Sequence, residues 1–156
     1  QYKYQGLLVD KLYKNEIIKN NKIRFHEEIK YNEDRLFVFE YINNCDKGVY
    51  ISSYMGYNYF QRDNSAMHQK EYKQEMYTEF VAFDKMSEIA REKQEFKVDD
   101  GIRAEYIIHA LEIYMQYYAD SKNEIKKYKE NAVKYIIRIL LSINVSFAVK
   151  WIIIKK

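Results

Sequence analysis

The chain reads as an α+β domain, a small antiparallel sheet packed against three to four helices, and three features predict it. Residues 22–60 are divided by polar turn groups into short segments rich in β-branched and aromatic side chains. Residues 63–141 carry apolar positions that step by three and four. Near the C-terminus Ile143, Val145, Phe147, Val149, Trp151 and Ile153 fall on alternate positions, the period of a strand.

Taken in order, the first element is a helix over 6–20, where Leu8 and Leu12, and Val9, Tyr13 and Ile17, recur at helical spacing before Asn20-Asn21. Three strands follow at 22–31, 35–43 and 48–60, separated by Asn32-Glu33-Asp34 and by Asn44-Cys45-Asp46-Lys47-Gly48. For 33–43 a helix competes with the strand, because a short apolar run has no decisive period. A long helix starts from a cap at Asp63, Asn64 or Ser65, turns Tyr72, Met76, Phe80, Phe83, Met86 and Ala90 to one side, and ends near Val98, before Asp99-Asp100-Gly101. The next helix, 102–119, is apolar almost all round. After Arg103 its polar residues are Glu105, His109, Glu112 and Gln116, one narrow stripe, which makes it the most buried helix. Ser121-Lys122-Asn123-Glu124 is a capping box that opens a helix over 122–141. The final strand, 143–154, would pair with the N-terminal meander. No linker or repeat interrupts the chain, so 1–156 is expected to be a single domain.

A chain of 156 residues is long enough to bury about 68–70% of its unfolded surface without disulfides or metal. Seventeen tyrosines and no proline stand out, since tyrosine gives large rigid contact area at low entropic cost. Codon usage offers a second source. Phe, Tyr, Met, Ile, Asn and Lys supply 80 residues and Gly, Ala, Arg and Pro only 18, the signature of an AT-rich genome. The net charge of +3 is too small to argue for nucleic acid without clustering. The one cysteine, Cys45, excludes an internal disulfide and fits a reducing, cytoplasmic compartment. With Gln at position 1 the chain reads as trimmed or processed; no charged-then-apolar leader is visible, although one already removed would leave no trace. Asn144-Val145-Ser146 matches a glycosylation sequon but lies in an apolar run expected to be buried. Between Arg138 and Lys150 only 139–149 is uncharged, short of the ~20 apolar residues a spanning helix requires.

Several groupings bear on function. Tyr50, Tyr54, Tyr57 and Tyr59 crowd the third expected strand and would form an aromatic strip for a protein partner if that strand is an edge. On helix 122–141 Lys127, Lys134 and Arg138 stand among six basic residues, on the face opposite its apolar stripe, and could meet phosphate or an acidic protein. Glu105, His109 and Glu112, at i, i+4 and i+7, share one helix face, but three ligands on one helix leave a bundle metal site half built. No metal or cofactor is therefore expected. With four glycines there is no phosphate-binding loop, and no CxxC, HExxH or nucleophile elbow is present.

Arg103-Ala104-Glu105-Tyr106-Ile107-Ile108-His109 resembles the Arg-x(4–6)-His signature of the HEPN ribonucleases. That resemblance implies a metal-independent RNA-cleaving site at a dimer interface, with Arg103 steadying phosphate and His109 moving a proton. The reading that composition and surface favour is a non-catalytic protein-binding module, such as an immunity, inhibitor or accessory protein of an AT-rich bacterium or phage. RNA binding or cleavage is the alternative, and a membrane-peripheral subunit using residues 143–156 is the second.

Overall fold

The computed structural model describes residues 8–9, 11–48, 50, 52, 56–57 and 73–117. Their regular elements are helical: α1 (Asn15–Asn20), α2 (Glu33–Asn43), a 3₁₀ turn (Gln74–Tyr77), α3 (Thr78–Glu92) and α4 (Phe96–Tyr117). No strand occurs among the described residues, so the α+β class with an N-terminal meander is corrected to a helical fold there. The expected helix 122–141 and closing strand 143–154 lie outside the described residues. The chain divides into two compact units, Gln1–Ala82 and Phe83–Lys156, with α3 running across the boundary.

In the first unit the expected helix over 6–20 is cut to α1 for a local reason. The Lys14 amide donates to the Tyr41 hydroxyl at 2.7 Å, and the Tyr13 hydroxyl donates to the Leu8 carbonyl at 3.2 Å. Residues 11–14 are thereby held off the helix and join the core through Tyr13. At its other end α1 closes in a Schellman motif: Ile23 N–H bonds the Ile18 carbonyl at 3.0 Å and Lys22 N–H the Lys19 carbonyl at 3.3 Å. Lys22 takes the left-handed conformation, φ +53°, a place usually filled by glycine. Ile23 is then delivered to a cluster with Phe37 and Tyr41, against which Leu8, Tyr13, Ile17, Ile18, Ile42 and Cys45 pack.

The first expected strand is an irregular segment. Its amides at Lys30 and Tyr31 donate to the Thr78 hydroxyl oxygen, at 2.9 and 3.2 Å, where a sheet would have given them carbonyl partners. The second is α2. Glu33 and Asp34, expected as a turn, occupy its first helical turn, where carboxylates complement the helix dipole. Leu36, Phe37, Val38 and Tyr41 are buried, so burial and not propensity settles the ambiguous run. Of the third expected strand, the described residues 48, 50, 52, 56 and 57 have no strand pairing.

Of the apolar positions expected on the long helix, Tyr72 lies outside the described residues, as does the expected cap. Met76 lies in the 3₁₀ turn and Phe80, Phe83, Met86 and Ala90 in α3, all buried. The helix does not run back continuously towards residues 63–65, because Lys73 is extended (φ −131°, ψ 135°). Its end does not fall at Asp99-Asp100-Gly101. A second Schellman motif closes it earlier, with Glu95 N–H on the Ala90 carbonyl at 2.8 Å and Gln94 N–H on the Arg91 carbonyl at 3.0 Å. Gln94 has φ +59°. The chain re-enters a helix at Phe96, and Asp99-Asp100-Gly101 lies within α4. In that helix Ile102, Ala104, Tyr106, Ile107 and Ile113 are buried, Glu105 and His109 are half-buried and Glu112 is exposed. In the second unit the Phe83 ring lies 6.2 Å from that of Tyr106.

Candidate functional site

Two arrangements stand out, one in each unit. In the first unit four rings form a ladder. Tyr13 meets Tyr41 edge-on at 4.9 Å and Phe37 edge-on at 5.6 Å, and Phe25 stacks on Phe37 at 4.7 Å and 10°. Such pairs contribute about 0.5–1.5 kcal/mol each beyond area burial. Phe37 and Tyr41 are buried, whereas Phe25 is 49% exposed, so the ladder leads from core to surface. Beside Phe25, His26 places Nε2 2.9 Å from Glu40 and Nδ1 3.6 Å from Glu28, which fixes the Phe25 segment to α2. The Cys45 thiol donates to the Tyr41 carbonyl at 3.3 Å.

Further apolar side chains of this unit face outward: Leu12 is 101% exposed, Tyr50 90%, Val9 50% and Tyr57 49%. Tyr50 and Tyr57 are thus exposed, although not on a strand. Tyr54, Tyr59, Lys127, Lys134 and Arg138 lie outside the described residues. Phe25 and Leu12 were not among the candidate contact residues in the sequence: Phe25 fell in an expected strand and Leu12 in the apolar pattern of the expected helix over 6–20. No local signal separates a half-exposed Phe in an irregular segment from a buried one in a strand.

The second unit holds a buried polar network. Asp99 is 0% exposed, Arg103 4% and Ser87 3%. Asp99 Oδ1 accepts from Arg103 Nε at 2.8 Å and from the Ser87 hydroxyl. Asp99 and Arg103 are four apart on α4, a spacing visible in the sequence; Ser87 on α3 carried no such signal. Arg103 is therefore a core ion-pair partner in this unit. His109 sets its ring edge-on to Phe83 at 5.3 Å and 82°. Among the described residues no three His, Cys, Asp or Glu side chains converge to hold a metal ion, Glu105, His109 and Glu112 included. Nor is any described helix long and apolar enough to cross a membrane.

No family model, curated protein or solved structure matches this chain.

Proposed function

We propose that the protein is a non-catalytic protein-binding module whose contact surface lies on the Gln1–Ala82 unit. The observation that carries this reading is the set of outward apolar and aromatic side chains there, Leu12, Tyr50, Val9, Phe25 and Tyr57. Single exposed apolar residues are ordinary; a partner that covers several of them together would make this unit's surface an interaction site. Full burial of a Leu or Phe by a partner contributes about 1.5–3 kcal/mol. Tyrosine and phenylalanine supply such anchors with few rotors to freeze. A stoichiometric inhibitor, immunity or accessory role fits this chemistry. The RNA reading has less support, because the guanidinium of Arg103 is buried against Asp99.

The test is a tagged capture from lysate of the organism of origin, with and without nuclease, using the parent and Tyr50→Ser/Tyr57→Ser. A protein retained in equal stoichiometry after nuclease, and lost in the variant, supports the proposal. Retention of RNA alone, or of nothing, overturns it.

A further inference from the structure

Residues 11–24 carry Lys11, Lys14, Lys19, Lys22 and Arg24 against the single acid Glu16, an excess of four in a chain whose total is +3. Lys14, Lys19, Lys22 and Arg24 are exposed. The fold gathers the two ends of this basic stretch. Tyr13 and Phe25 both contact the Phe37 ring, so the backbone on either side of Tyr13 and at Arg24 is held near that one ring. Two exposed apolar side chains, Leu12 and Phe25, thus stand next in the chain to exposed or half-buried cations, Lys11 and Arg24, with Lys14 two residues beyond Leu12.

Resting on the protein-binding reading above, we infer that this surface takes an acidic segment of a partner protein that carries apolar side chains. Charge complementarity selects the sign, because cations flanking an apolar contact steer and orient an anionic partner. The anchors select the class. Leu12 gains nothing from a bare polyphosphate, and Glu27 and Glu28, both exposed immediately after the Phe25-His26 pair, would repel a uniformly anionic polymer. An anionic lipid surface is disfavoured as well. Helix α1 has six residues and turns Ile17 and Ile18 into the core, leaving no apolar helix face to insert. An acidic segment with its own leucines and aromatics matches both halves of the surface.

The experiment is fluorescence anisotropy on the full chain with two labelled short peptides. They share Leu and Phe positions and differ only in carrying Glu or Lys between them. Poly-uridylate and phosphatidylserine vesicles serve as competitors. The Glu peptide should bind, with affinity falling on the order of tenfold from low to physiological salt. Lys14→Glu/Arg24→Glu and Leu12→Ser should each weaken it by a similar factor, with circular dichroism and the urea midpoint unchanged. Failure of the Glu peptide to bind, equal binding of the Lys peptide, indifference to charge reversal, or tighter binding of RNA or vesicles would each overturn the inference. A lysate partner retained by Lys14→Glu/Arg24→Glu but lost in Tyr50→Ser/Tyr57→Ser would overturn it and leave the protein-binding reading standing. Capture of no protein by the parent would overturn both.

Discussion

Replacing Arg103 with Met tests the physical reading of the second unit most sharply. Arg103 and Asp99 are 4% and 0% exposed, and Arg103 Nε lies 2.8 Å from Asp99 Oδ1. Met keeps much of the side-chain volume but removes the cation from which the buried Asp99 carboxylate accepts. Breaking one side of such a pair costs about 3–5 kcal/mol, largely the penalty of the stranded charge. Against a total stability of about 5–15 kcal/mol, the variant should lose a large fraction of its resistance to urea. The double variant Arg103→Met/Asp99→Leu removes both charges and should recover at least half of that loss, because hydrophobic replacement of a whole buried pair is often neutral. The assay is equilibrium urea unfolding of parent, both single variants and the double, followed by far-UV circular dichroism. A coupling energy below about 0.5 kcal/mol across the cycle, or Arg103→Met as stable as the parent, would refute the assignment of Arg103 to a core ion pair.

Other positions give smaller, signed effects. Gln94 and Lys22 sit at left-handed helix C-terminal positions with φ of +59° and +53°; Gln94→Gly and Lys22→Gly should each stabilise by about 0.5–1 kcal/mol, read as a higher urea midpoint. Gly101 lies inside α4, and a Cβ built there meets nothing within 4 Å, so Gly101→Ala should add about 0.5–1 kcal/mol. Gly48 has equal space but φ +76°, and Gly48→Ala should cost about 1 kcal/mol in the same assay. Thr78→Val removes the hydroxyl oxygen that accepts from Lys30 and Tyr31, and should cost about 0.5–1.5 kcal/mol and speed amide exchange at those two residues.

What the sequence disclosed and what it hid follow from the same physics. The buried face of α3 was legible because Phe80, Phe83, Met86 and Ala90 keep helical spacing whatever surrounds them. The element ends were not. Both Schellman motifs use Lys22 and Gln94 where a glycine would have announced the stop. Conversely Asp99-Asp100-Gly101 looks like a turn and lies in a helix, because the Asp99 carboxylate is taken by Arg103 and Ser87 and Gly101 merely tolerates the helix. Contiguous Leu36-Phe37-Val38-Phe39 fits strand or helix equally, and packing against Tyr13 and Ile23 chose the helix. Of the candidate surface, exposure at Tyr50 and Tyr57 was expected only if their strand were an edge, and the described residues there form no strand. The ladder leading to Phe25 depends on contacts between residues 13, 25, 37 and 41, which no single stretch of sequence encodes.

The central claim, that the exposed apolar residues of the first unit bind a protein, is tested most directly by a nuclease-treated capture from lysate with Leu12→Ser/Tyr50→Ser beside the parent. These side chains are 101% and 90% exposed, so the variant should fold as the parent does and lose a partner that the parent retains at equal stoichiometry. Undiminished retention by the folded variant, or a parent that retains no protein at all, would contradict the claim.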